Sequence, residues 1–193
     1  MDSHPPPETS PGPSPDDDAW MERLDVITSG ARHGVGEVSV RRSIGELLRV
    51  VRDLLKLEVV FVSELLDGQR VFRHVESGGL PTRVHPGLSA PLEQTICQRI
   101  LDGRLPNLVP DVEAVRRAQG LPDSFEGMGT HIGVPVRHGN GRLYGMLCGF
   151  NRTGVTELDE KHLRRLEVAA RLAAQLLAQA EGGEGGVWDP ALL

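Results

Sequence analysis

The 193-residue chain has only two cysteines, Cys97 and Cys148, and lacks any run of about 18 apolar residues. Two cysteines cannot build a disulfide framework. Without a long apolar run, no membrane span is expected. Metal and nucleotide signatures are missing as well. The histidines at 4, 33, 74, 85, 131, 138 and 162 form no i, i+4 pair and join no cysteine at zinc spacing. There is no G-x-S-x-G and no Walker loop, and no two carboxylates can be assigned to one site. Lysine is scarce, 2 against 19 arginines, which reads as genome composition. The arginine pairs 41/42, 116/117 and 164/165 are scattered rather than striped. Residues 19–180 carry 19 acids and 21 bases, so nothing resembles the electrostatic footprint of a nucleic-acid binder. The N-terminus has no basic-then-apolar leader. The expectation is a cytoplasmic protein without nucleic-acid or membrane partners, and no catalytic constellation that would make it an enzyme.

Residues 1–18 hold six of the fourteen prolines, five acids and no Lys or Arg. Such a segment cannot bury enough apolar surface to offset chain entropy and reads as a disordered tail. A domain is expected over 19–181 and a glycine-rich flexible tail over 182–193. Trp20, Leu24 and Ile27 mark a helix over about 19–33 with Asp18 as its cap. After a break at 34–39, Ser43 and Glu46 form a capping-box pair before Ile44, Leu47, Leu48, Val51, Leu54 and Leu55. Asp67-Gly68 turns a first hairpin. A helix is expected from Pro91 to about Gly103, a short extended piece at 105–110, a short helix capped by Asp111, and a loop at 121–128. Thr156 is expected to cap the longest helix, which runs to about Glu181.

The most informative stretch is Gly129 to Phe150. Thr130, Ile132, Val134 and Val136 alternate with His131, Gly133, Pro135 and Arg137. After His138-Gly-Asn-Gly141, Leu143, Gly145, Leu147 and Gly149 alternate with Tyr144, Met146, Cys148 and Phe150. Period-two alternation around a Gly/Asn-rich turn is a hairpin signal. Both faces of the second strand are apolar or glycine, so both should be covered. Ile132-Gly-Val-Pro-Val136 and Gly141-Arg-Leu-Tyr-Gly-Met-Leu147 resemble the central hairpin of GAF domains, and the order of elements over about 20–181 is similar. The wording near Leu92–Pro110 and Leu143–Cys148 is especially like GAF sensors that accompany EAL and histidine-kinase modules. The resemblance implies an α+β fold: a GAF/PAS-like antiparallel sheet of about six strands, terminal helices on one face, and on the other a pocket roofed by residues 77–128.

By the same resemblance, Thr130 and Ile132 face the helices, while His131, Gly133 and Pro135 face the pocket. Strand phase then adds Phe61, Ser63, Met146, Cys148 and Phe150 to the pocket side. Gly145 and Gly149 would allow a helix close to the opposite face. His131 is the leading candidate for a hydrogen bond to a small ligand. The plainer alternative is a core histidine satisfied by backbone. No second ligand or attachment motif supports haem. Neither cysteine precedes a histidine, as in bilin-binding relatives, and each reads as a small buried hydrophobe. Asn151 to Glu160 echoes the signature of cyclic-nucleotide-binding GAF domains, with Arg152 and Val155 substituted. Helix capping explains the same residues.

Leu163, Leu166, Ala170, Ala173, Leu177 and Ala180 form a heptad-like seam, with Ala169, Leu172 and Leu176 beside it. One strip can pack on the sheet. The other needs a cover, which is either the first helix or a second subunit, and GAF domains commonly pair this way. The expectation is therefore a small-molecule-sensing regulatory domain that dimerises through Leu163, Leu166, Ala170, Ala173 and Leu177 and signals to a partner protein. The sequence leaves the identity of the ligand and of any cofactor unknown. The alternatives are a small redox enzyme using a cysteine, as in methionine sulfoxide reduction, and a ligandless dimerisation module with Phe61, Met146 and Phe150 filling the pocket.

Overall fold

The computed structural model describes residues 15–33, 37–154 and 156–184. The first fourteen residues of the expected tail, and most of the C-terminal one, lie outside them. Two helices come first, α1 (Pro15–His33) and α2 (Glu37–Leu55). A hairpin of β1 (Val59–Leu66) and β2 (Gln69–Glu76) follows, then β3 (Ser89–Pro91), α3 (Ile96–Leu101), β4 (Leu108–Val109) and α4 (Val112–Gln119). The second hairpin is β5 (His131–Arg137) and β6 (Leu143–Phe150), and α5 (Glu160–Glu184) closes the chain. The six strands form one sheet in the order β3-β2-β1-β6-β5-β4, with every pair antiparallel.

Apolar alternation sorts the side chains onto two faces. Val60, Val62, Ile132, Val134, Val136 and Leu147 pack against α1, α2 and α5. Val59, Phe61, Phe72, Met146, Cys148 and Phe150 pack beneath α3, α4 and their flanking loops. The sheet is thus buried on both sides, as the two-faced apolar pattern of β6 required. Pro135 is tolerated because β4 has run out beside it: β4 pairs only with His131 and Ile132, and beyond them Asn107 alone bonds Gly133, its O accepting from Gly133 N at 2.8 Å and its Nδ2 donating to Gly133 O at 2.7 Å. The proline sits on a local edge, where a missing N–H costs no ladder bond. At the β1–β2 turn, Asp67 and Gly68 take φ of 50° and 73°. Those left-handed angles match the two-residue hairpin turn that asparagine, aspartate and glycine favour.

Several boundaries differ from expectation. Helix α1 begins at Pro15, so 15–18 belong to the helix and Asp18 lies within it; proline suits a first turn, where its absent N–H is not needed. Helix α2 begins at Glu37, which leaves Ser43 buried mid-helix and no capping box. The segment after Pro91 is a 3-10 turn at Leu92–Gln94 and then α3, whose cap is Thr95. Asp111 does cap α4, accepting from Ala114 N at 2.9 Å, and Gly120 closes it at φ 65°. Asp159, not Thr156, heads α5, its Oδ1 accepting from Lys161 N and His162 N. Thr156 is tied to Asn151 and Thr130 instead.

The α5 seam has a different partner from the one expected. Leu166, Ala170, Ala173 and Leu177 are buried in the chain's own core, as are Ala169 and Leu176, because α5 lies on β5 along one side and on α2 along the other. The small alanines bring the helix close to the sheet rather than to a second subunit. The glycines of β6 also serve another purpose. A Cβ at Gly145 would meet Ser63 O at 1.8 Å and one at Gly149 would meet Leu57 Cδ1 at 2.6 Å. It is the neighbouring strand and the α2–β1 link that come close, not a helix.

Candidate functional site

Above the β1/β2/β5/β6 surface, opposite the three long helices, a cavity of about 370 Å³ lies beneath the loop at 83–90, the start of α3 and the turn near Phe125. Its floor is set by strand phase. Phe61 on β1, His131 on β5 and Phe150 on β6 all point into it. Arg70 and Phe72 of β2 join them, although simple alternation through β2 would fail to place the whole strand. The register slips between Val62 and Ser63, which pair with His74 and Phe72. Arg73 is the extra residue of this bulge, and the slip turns Phe72 to the pocket and His74 to the helices. Phe61 meets Phe72 edge-on with ring centroids 4.7 Å apart, and Phe150 at 6.3 Å.

Short elements hold the roof. Thr95 Oγ1 accepts from Gln98 N and donates to Leu92 O at 2.6 Å, fixing the first turn of α3. Glu113 of α4 accepts from Arg116, Arg117 and Gly127 N, which ties the 121–128 segment to the helix. Chiefly through the Arg116 hydrogen bond, then Gly127 N, its carboxyl is depressed to about 2. Phe125 folds inward from this segment and is buried. Backbone bonds from Val112 N to Gly129 O and from Glu113 N to Met128 O, both 2.9 Å, anchor α4 to the approach of β5.

Two polar groups in this cavity have no partner. His131 is 3% exposed, and its Nδ1 is buried without a hydrogen-bond partner. Burial, and then the nearby Arg70 charge, lower its pKa to about 3, so the imidazole is neutral at ordinary pH. Arg70 Nε is likewise buried and unbonded, while the guanidinium carbon lies 3.9 Å from the Phe72 ring centroid. Such groups are rare in folded proteins, because an unmet donor or acceptor away from water costs about 1–3 kcal/mol.

At the cavity wall, Cys97 of α3, a lining residue, and the covered Cys148 of β6 place their sulfurs 4.0 Å apart, within reach of an S–H···S contact. Both are free and buried. Burial pushes the Cys148 thiol up, while the contact from Cys148 holds Cys97 down. Gly133 makes room for this pair, since a Cβ there would meet Cys148 Sγ at 2.7 Å.

A family model for the GAF domain matches residues 38–178. The chain belongs to the GAF domain family. Solved structures agree on the fold. The GAF domain of an Acinetobacter phosphoenolpyruvate-protein phosphotransferase superposes with a TM-score of 0.67 at 17% identity, covering 89% of this chain and 99% of that one. The chromophore-binding domain of an unusual bacteriophytochrome from R. palustris gives 0.66 at 14% identity, covering 89% and 64%. The free methionine-R-sulfoxide reductase of Neisseria meningitidis gives 0.63 at 16% identity, covering 89% and 95%. No curated protein sequence matches the chain.

Of the pocket residues expected for this GAF domain, Phe61, His131 and Phe150 line the cavity. Ser63, Met146 and Cys148 are on the expected face but lie wholly covered, each 0% exposed, and are not among the lining residues. Ser63 Oγ reaches Met146 O at 3.5 Å, and Cys97 sits over Cys148. A side chain on the right face of a strand is still core when a roof helix seals it. Arg70, Phe72 and Arg83 are lining residues that sequence reasoning missed. An arginine two residues from a phenylalanine in a strand was the available signal, hidden by the β2 bulge.

The Asn151–Glu160 stretch, which echoed nucleotide-binding relatives, is a structural clip. Asn151 Oδ1 accepts from Glu58 N at 2.9 Å and its Nδ2 bonds Thr156 Oγ1. Arg152 pairs with Glu58 at 2.8 Å, lowering that carboxyl's pKa. Val155 lies outside the described residues. Among the described residues, no cluster of three or more His, Cys, Asp or Glu is placed to hold a metal ion, and no helix is long and apolar enough to cross a membrane.

Proposed function

We propose that this GAF domain is a regulatory sensor that binds a small molecule in the cavity over Phe61, His131 and Phe150 and acts by binding rather than catalysis. The observation that carries the reading is the buried, unpartnered His131 Nδ1 facing an unfilled space. A volume of about 370 Å³ falls near the lower end of small-molecule sites, which suits a ligand of one or two rings. Phe61 and Phe150 line this space without filling it, which counts against a ligandless module.

The roof is the responsive part. A ligand touching Phe125 and α3 from below would add contacts to short elements now held by their own apolar cluster and by the ion pairs of Glu113. Strand β5 carries the effect onward, because His131 faces the cavity while Ile132 and Val134 face the helix side. That supplies an element whose two arrangements a ligand can bias. Pairing through the α5 seam forms no part of the proposal, since that seam is core. Nor does thiol chemistry, because Cys148 is wholly covered and Cys97, although it lines the cavity, is 1% exposed, whereas reactive thiols need exposure.

The test is a ligand-observed NMR screen of small ring compounds against the wild type and Ala90→Trp. Ala90 lines the cavity from β3, and tryptophan there would occupy it. Binders to the wild type that are lost in the variant support the reading. Binding unaffected by the filling, or no binder at all, contradicts it.

A further inference from the structure

We propose that the ligand is an organic anion: a flat, mostly apolar ring system carrying one carboxylate or phosphate, with the acidic group held by Arg70 and Arg83 and the ring lying against Phe61, Phe72 and Phe150. This rests on the ligand-binding reading above and states its chemical class.

Several arginines elsewhere have acid partners. Arg73 pairs with Glu64, Arg104 with Asp102, Arg116 with Glu113 and Arg152 with Glu58. Arg70 and Arg83 have no ion pair among the described residues, and both line the cavity. No carboxylate lines it. Arg83 is exposed at the mouth and Arg70 is half-buried within. A partly desolvated guanidinium without a carboxylate is costly, and Arg70 is held in place by stacking on Phe72 and by the neighbouring Cys97 thiol rather than by an acid. Stacking orients the planar fork and leaves its N–H groups for a two-oxygen acceptor, the geometry that favours arginine over lysine at carboxylate and phosphate sites. His131 supplies the third contact. As a neutral imidazole it can donate to the anion or accept from a ring substituent. Gln94, Thr95 and Ser124 add polar edges, while most of the remaining wall is apolar, the aromatic rings with Val84, Leu88, Ile96 and Met128. They exclude water from the ring and strengthen each polar contact.

The experiment titrates matched probes into the full chain: benzoate and 2-naphthoate, their neutral alcohols benzyl alcohol and 2-naphthalenemethanol, phenyl phosphate, and inorganic phosphate. The His131 ring resonances and a dissociation constant are followed. The acidic aromatic probe should bind about tenfold or more tightly than its alcohol, as expected for hydrogen bonds to a charged group. Arg70→Gln should abolish that preference, Arg70→Lys should restore it only in part, and Arg83→Gln should weaken it severalfold. Arg83 is an exposed loop residue, so its variant reports on binding even if Arg70→Gln unfolds. Alcohols binding as tightly as acids, or an unchanged preference in Arg83→Gln and either folded Arg70 variant, overturn the anion assignment and leave the pocket reading intact. Inorganic phosphate binding as tightly as phenyl phosphate overturns the aromatic half. No probe of either kind shifting His131 overturns this assignment and the ligand-binding reading together.

Discussion

On the α2/α5 side of the sheet, the long helices lay leucines, valines, isoleucines and alanines on β1, β5 and β6, and core residues such as Leu47, Ile132 and Leu166 are fully buried. On the α3/α4 side, helices of six and eight residues, two 3-10 turns and an ion-paired loop cover aromatic rings, two thiols and an open cavity. Three buried side-chain atoms lack hydrogen-bond partners among the described residues: Trp20 Nε1 on the helix side, and Arg70 Nε and His131 Nδ1 together in the cavity. One sheet thus carries a face covered by long helices and a face on which two unpartnered polar atoms share one cavity. In the proposed reading, the first face holds the fold and the second, roofed by short elements, is the one that responds to a ligand.

Substitutions on each face can break that contrast. The largest effect is expected from Leu166→Ala, which empties a fully buried site between helix and sheet and should cost about 2–5 kcal/mol in urea unfolding. Phe125→Ala removes more atoms from the roof yet should cost less, below about 2 kcal/mol, because the roof can settle into the cavity beneath it. Equal losses would mean that the roof is as rigid a core as the helix layer.

Acid sharpens the comparison next, since each face holds a histidine whose pKa is lowered, half-buried His74 on one and buried His131 on the other. His74, on the helix side, has a pKa lowered to about 4, by burial and then by Arg41 and Arg73. His131 is lowered to about 3. In the unfolded chain both titrate near 6.5. Below that pH the unfolded state binds protons that the folded state refuses, so stability present above about 6.5 is lost as pH falls toward 4 and then 3. His131→Asn should reduce the slope of stability against pH between 6 and 4.5 by up to one proton's worth, about 1.4 kcal/mol per pH unit. An unchanged slope would mean that His131 is charged in the fold. The smallest effect on global unfolding is expected from Glu113→Gln. Amide exchange over 121–128 should quicken while the urea midpoint barely moves. A large midpoint shift would make the roof part of the global unfolding unit.

Much of this was legible in the sequence. The Gly129–Phe150 alternation predicted the hairpin and its two covered faces, and the GAF resemblance supplied the inward direction of His131. The two-residue turn at Asp67-Gly68 and the Asp111 cap were equally readable, because each rests on local backbone preference. What could not be read depended on tertiary context. The α5 heptad looks the same whether its cover is another subunit or α2 and β5. Ser43 and Thr156 have capping chemistry, but α2 starts earlier and Thr156 is held by Asn151. Ser63, Met146 and Cys148 have the right phase, but only the path of α3 decides that they are sealed. Arg70 was hidden by a one-residue bulge, which inverts strand phase without leaving a sequence mark.

The most direct measurement is hydrogen exchange across both faces with and without a saturating aromatic carboxylate. Protection should rise over α3 and residues 121–131 and stay level in the middle of α2 and α5. Uniform protection over the whole chain, or no change over the roof, would contradict a sensor in which one face holds the fold and the other reads the ligand.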